Sequence, residues 1–146
     1  MCIDEKLSWK YHIGKVTSKI SKVTREMAKA RHYLSLRTLK AIYDTMVWPY
    51  LTYCNMIWSS TYQIRLKPLF LTQKKLVRLT TFTKYNEESK PIFRQLNLLN
   101  IHELSTNLTA LFMHSFFNQH LPNYFTNSFI LLFDFHTLHE FRFVIG

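Results

Sequence analysis

Apolar residues in the first third of the chain recur with a helical period. Trp9, Ile13, Val16, Ile20, Val23, Met27, Ala30 and Leu34 follow one another at steps of four and three residues, which predicts one long amphipathic helix from Trp9 to Tyr33. At about 1.5 Å per residue it would be roughly 37 Å long. Ser8 is the expected N-cap, and Gly14 weakens the helix near its start. Ser35 caps a second predicted helix, with Leu36, Leu39, Ile42, Tyr43, Met46 and Val47 on one side. Pro49 removes a backbone donor, so a break is expected near Trp48, before an apolar continuation through Leu51, Cys54, Ile57 and Trp58.

The pattern goes on in the same manner. A third helix is expected from about Leu66 to Thr81, with Pro68 near its start, Leu69, Phe70, Leu76, Val77 and Leu79 apolar, and Gln73, Lys74, Lys75 and Arg78 polar. Thr83 to Lys90 is polar and predicts a loop; Pro91 then opens a short helix with Ile92, Phe93 and Leu96 inward. Asn100 and Glu103 have capping-box spacing for a last helix from Ile101 to about Asn118, striped by Leu104, Leu108, Leu111, Phe112 and Phe116 and closed by Leu121-Pro122-Asn123. The expectation is a mainly α fold, a small bundle of about five helices at residues 1–128, followed by an unassigned apolar tail at 129–146 in which Glu140 to Val144 suits a short strand. Two glycines and four prolines in 146 residues argue against a turn-rich sandwich or barrel.

Charge adds direction to this scaffold. Residues 1–94 hold 18 Lys/Arg against 6 Asp/Glu, a net +12, whereas 95–146 hold one Arg against three acids, a net −2. On the first helix Lys15, Lys19, Lys22, Arg25 and Lys29 cluster opposite the apolar stripe. Such a face suits a polyanion, and it equally suits a solvated surface that keeps the chain soluble or, more weakly, an anionic membrane. Cys2 and Cys54 lack disulfide or CxxC spacing, which points to a reducing, intracellular compartment, cytoplasm or nucleus, with Cys54 a small buried residue in a helical run. No signal peptide or transmembrane segment is expected: Asp4 and Glu5 stand where a basic leader would be, and Asp44, Pro49 and Asn55 interrupt the apolar run 42–58.

Pro49-Tyr50-Leu51-Thr52-Tyr53-Cys54-Asn55-Met56-Ile57-Trp58 and then Leu69-Phe70-Leu71-Thr72-Gln73-Lys74-Lys75-Leu76-Val77-Arg78 resemble the region C-terminal to the polymerase core of reverse transcriptases from non-LTR (LINE-type, jockey-like) retrotransposons. Ile3-Asp4, Leu7-Ser8-Trp9, His12-Ile13, Leu34, Leu39, Tyr43, Pro91-Ile92-Phe93, Leu96, Leu99, Leu121-Pro122 and Phe125 match the same family in the same order, so that the resemblance covers roughly residues 3–128. The ordered series carries it, since none of these motifs is catalytic. Ser59 stands where the family commonly has glycine, and the tail after Ser128 departs from the polar sequence the family has there.

The resemblance implies a helical thumb and its extension, which grips the template–primer duplex of RNA, DNA or their hybrid through phosphates. The best candidates for phosphate contact, read from charge and position, are Lys15, Lys19, Lys22, Arg25 and Lys29, then Lys74, Lys75 and Arg78, each of which equally suits a solvated surface. Polymerisation in that family uses two divalent metal ions, Mg in the usual case, held by an Asp-Asp pair and a further aspartate in a palm subdomain upstream of the matched region. Asp4, Asp44 and Asp134 are isolated, and Glu87-Glu88 lies in a predicted loop, so this chain is expected to hold no such cofactor and to be inactive by itself. His136 and His139 have a spacing a helix could bring over a metal, without an evident third ligand. The partners implied are a nucleic-acid backbone and the missing polymerase core. The competing expectation is an inert helical remnant or a protein-interaction module.

Overall fold

The computed structural model describes residue 5 and residues 7–84, 87–122 and 125. Among them the chain is helical: α1 (Lys10–Ala30), α2 (Leu36–Met46), α3 (Trp48–Thr52), α4 (Asn55–Trp58), α5 (Gln63–Thr80), α6 (Ser89–Gln95) and α7 (Ile101–Phe117). Two of the seven, α3 and α4, are single turns, leaving the five substantial helices that the pattern predicts. The tail expected to be separate, with its strand at 140–144 and its two histidines, lies outside the described residues. Two compact units divide the chain at residues 108 and 109, within α7.

In the first unit α1 and α5 form the most extensive helix pair. They run in the same direction. At their N-terminal ends the Arg65 guanidinium donates to the Ser8 carbonyl, and at their C-terminal ends Arg31 and His32 meet the Phe82 ring, with centroid separations of 5.0 and 6.4 Å. Between these clamps the predicted stripe is buried at Ile13, Val16, Ile20 and Met27, against the same core as Leu66, Leu69, Leu76 and Val77 of α5. Thr24 and Thr80 are buried too, and each hydroxyl donates to the carbonyl four residues back, so neither leaves a polar group unsatisfied. Ser8 does not cap α1: the cap position is Trp9, in the left-handed region at φ 58°, and Ser8 serves the core through its carbonyl instead.

The α2 cap is as expected, with the Ser35 Oγ accepting from the Thr38 N–H at 3.2 Å. Leu39, Tyr43 and Val47 face the core, whereas Leu36 and Met46, assigned to the same side, are exposed. The chain breaks at Val47, one residue before the predicted point, and Pro49 falls in the first turn of α3, where its missing N–H costs nothing. A second break follows at Cys54, whose φ of 50° is left-handed. Cys54 is therefore a half-buried junction residue, not part of a continuous helix. Asn55 Nδ2 donates to the Leu51 carbonyl at 2.8 Å, and Trp58 Nε1 donates to that of Tyr53 at 2.9 Å, so side chains take up carbonyls next to the break.

α5 starts three residues before the predicted point, which puts Pro68 inside it and not at its start. Pro91 is third in α6 and not first, because Ser89 and Lys90 already belong to the helix; Ile92, Phe93 and Leu96 are buried as the pattern requires. The capping box of α7 forms in both directions: Asn100 Oδ1 accepts from the His102 and Glu103 N–H groups at 3.0 and 3.1 Å, and a Glu103 carboxylate oxygen accepts from the Asn100 N–H at 3.1 Å. Ile101 and Leu104 are buried, but the predicted stripe fails at Leu111, which is 57 % exposed.

Gln73, read with Lys74, Lys75 and Arg78 as a polar position of the third helix, lies in the core. It is fully buried, and its amide spans three elements: Nε2 donates to the Tyr43 hydroxyl at 2.9 Å and to the Leu99 carbonyl at 3.0 Å, while Oε1 accepts from the Ile101 N–H at 3.0 Å. One side chain thus ties α2 and α5 to the start of α7 and satisfies a donor that a helix N-terminus leaves open. Burial pushes the Tyr43 phenol up to about 12, against the opposing pull of the Gln73 N–H.

In the second unit the described residues form the end of α7 and the turn after it. Asn118 Nδ2 donates to the His114 carbonyl at 2.8 Å, and the Phe112 ring meets that of Phe125 edge-on at 6.0 Å.

Candidate nucleic-acid interface

The basic face of α1 folds as predicted. Lys15, Lys19, Lys22, Arg25 and Lys29 are all exposed, on the side away from the core. The fold adds a wall opposite three of them. After the break at Val47, α3 comes up beside α1, and a groove of about 730 Å³ opens between Lys15, Lys19 and Lys22 on one side and Pro49, Tyr50 and Tyr53 on the other, with His12 also in its lining. No Asp or Glu lines this groove. Lys19 Nζ lies 4.6 Å from the centre of the Tyr50 ring, within cation–π range, and Lys15 Nζ lies 4.6 Å from that of Tyr11. Lys29 is paired with Glu26 at 3.3 Å, farther along the helix.

His12 is 8 % exposed and its ring meets Trp58 edge-on at 5.7 Å. Burial, reinforced by Lys15 and Lys19, holds its imidazole below the ordinary histidine range. Acidification through the unfolded-state range therefore protonates the unfolded chain first and lowers stability.

The second basic set is placed differently. Lys74 and Arg78 line another groove, with Glu87 and Glu88 at its edge; no residue of α1 lines that groove, and none of α5 lines the first. Arg78 Nε and Nη2 both donate to the Glu87 carbonyl, at 3.1 and 2.9 Å, fastening the loop before α6. Lys74 Nζ sits 4.3 Å from the centre of the Phe70 ring. Lys75 is exposed on α5 and lines neither groove. The eight candidates thus divide into five on α1, three of them in a groove, and three on α5 that share no groove with them.

Tyr50 and Tyr53 were assigned no role from sequence. Their signal was a pair three residues apart just after Pro49, which puts both on one side of a single turn. Ser59, which stands where the resemblance expects glycine, has φ −82°, a value open to any residue, and its Oγ shares a hydrogen bond with that of Ser105 at 2.7 Å.

Among the described residues no three His, Cys, Asp or Glu side chains converge to hold a metal ion. Asp44 is paired with Lys40 at 2.8 Å. The described residues thus bring together no set that fits the two-metal centre of a polymerase. Among the same residues no helix is long and apolar enough to cross a membrane. No protein-family model, curated protein or solved structure matches the chain.

Proposed function

We propose that this chain is a nucleic-acid-binding module that grips a backbone without reading its sequence, equivalent to the thumb and post-thumb region of a non-LTR retrotransposon reverse transcriptase, and that it does not polymerise by itself. The observation that carries this reading is the acid-free groove along α1, where Lys15, Lys19 and Lys22 stand side by side. A protein that must slide over any sequence holds phosphates and not base edges, and lysines spaced along a helix supply that kind of contact. The reading places its work in the nucleus or the cytoplasm.

The test is fluorescence anisotropy with an RNA–DNA hybrid at about 50 and about 200 mM salt. Three phosphate contacts lower affinity roughly 40-fold across that range, and all five cations of α1 lower it roughly 500-fold. Affinity that is flat in salt, or absent, sinks the reading.

A second reading, a surface that docks on a protein such as the polymerase core, rests on exposed apolar residues at the N-terminal ends of α1 and α5, where Leu7, Tyr62 and Ile64 are all more than half exposed. Sedimentation that shows a monomer with no tendency to associate counts against it.

A further inference from the structure

We propose that the groove between α1 and α3 takes an unpaired stretch of nucleic acid, its phosphates along Lys15, Lys19 and Lys22 and one base stacked on Tyr53. This deepens the backbone-binding reading and rests on it. A duplex needs only the lysines, because its bases are already stacked on each other. The opposite wall of the groove is aromatic, which a duplex backbone does not use.

Three features of that wall point to an unpaired base. Tyr53 lines the groove and is 60 % exposed, although the nearby Leu51 and Trp58 are fully buried. Tyr53 stands in the turn between α3 and α4, and its backbone is held there, since the indole N–H of buried Trp58 donates to its carbonyl at 2.9 Å. Tyr50 is committed to Lys19, whose ammonium lies 4.6 Å from its centroid, and this sets one cation at a defined height on the wall opposite its own helix. Lysines beside an exposed ring form the combination by which single strands are held without sequence preference, phosphates on cations and bases on aromatic faces.

The charge fits the same occupant. Lys15 and Lys22 are seven residues apart on α1, about 10 Å along the axis, so the three lysines are spaced along about one Debye length at moderate salt. With no carboxylate in the groove, a chain of phosphates relieves their mutual repulsion.

The test compares three probes on the full chain: a fluorescent oligothymidine, the same strand built with abasic sites, and a blunt RNA–DNA hybrid. The variants are Tyr53→Ala and Tyr53→Phe, with circular dichroism to confirm that both stay helical. The expected result is that Tyr53→Ala weakens oligothymidine about 5- to 150-fold, the worth of one stacked base, that Tyr53→Phe keeps the affinity, and that the hybrid changes less than about twofold. The abasic strand should bind the native chain no better than oligothymidine binds Tyr53→Ala. If the abasic and base-bearing strands bind alike, or if Tyr53→Ala leaves oligothymidine unchanged, the stacking inference is overturned, while salt-dependent hybrid binding keeps the broader reading. If no probe binds, both fall. An acidic peptide that displaces the hybrid but leaves oligothymidine bound would place duplex contacts elsewhere and keep this inference; one that alone occupies the groove would overturn it.

Discussion

Along α1 the lysines reach solvent and three of them meet an aromatic wall across a groove, whereas along α5, running beside it in the same direction, several polar side chains turn to the fold even though Lys67 and Lys75 stay exposed. Gln73 lies in the core, Arg78 fastens a backbone carbonyl, and Lys74 rests on Phe70. Both helices look alike in sequence, basic and amphipathic. The difference lies in what each packs against. α1 buries a single stripe and leaves its other side open, while α5 is hemmed by α1, α2 and α6 and has polar positions that must find partners inside.

The largest expected effect breaks α5 and spares α1. Gln73→Leu removes both donors and the acceptor, stranding the Tyr43 hydroxyl, the Leu99 carbonyl and the Ile101 N–H, and should cost about 3–4 kcal/mol in denaturant titrations. Arg25→Gln on α1 should move stability by less than about 0.5 kcal/mol. The native chain should also weaken in alkali. With its folded-state phenol raised to about 12, Tyr43 contributes stability that is fully present below pH ~10, where the unfolded phenol titrates, and is lost as pH rises to about 12. Equal losses for Gln73→Leu and Arg25→Gln would erase the contrast.

Next in size is the contrast in binding. Neutralising Lys15, Lys19 and Lys22 together to Gln should lower the salt slope on an RNA–DNA hybrid by about 2.7 and the affinity about 10- to 100-fold at low salt. The same exchange at Lys74 and Lys75 should stay within about threefold. Similar losses from the two sets would mean that the basic helices act as one surface, against their separate grooves.

The distinction was only half legible in the sequence. The α1 stripe could be read because every step is three or four residues and the opposite side carries little but charge, so one rule explains both faces. The Ser35 cap and the Asn100–Glu103 box were legible because capping depends on residues within one turn of each other. Gln73 was not: it sits between a threonine and two lysines, and only the arrival of Tyr43, Leu99 and Ile101 from elsewhere makes burying it tolerable. The starts of α5 and α6 were missed for a related reason, since Pro68 and Pro91 invite a boundary that their neighbours override. The groove was the least legible, because α3 reaches α1 only by way of the break at Val47, and no local rule places α3 after it.

Arg78 offers a smaller test of whether α5 cations serve the fold. Arg78→Gln removes two charge-assisted donors from the Glu87 carbonyl, and at this partly exposed position the loss should be about 1 kcal/mol, with hybrid affinity unchanged within about twofold. Proteolysis at Glu87 should quicken in parallel, since its carbonyl loses both donors. A variant as stable as the native chain but weaker in binding would move Arg78 to the other side of the comparison.

The smallest effect concerns α1 alone and has the opposite sign. Gly14 lies in the second turn of α1, and a Cβ added there meets nothing within 4 Å. Glycine in a helix interior costs roughly 0.5–1 kcal/mol relative to alanine, largely because the unfolded chain has more freedom to lose. Gly14→Ala should therefore raise stability by that amount in denaturant titrations. It touches no packed neighbour, and Gly14 does not line the groove of Lys15 and Tyr53. If stability rises while hybrid affinity holds, the groove is already set by the packing of α1 against the core. If affinity rises with stability, the start of α1 frays in the free chain and is ordered by the bound strand.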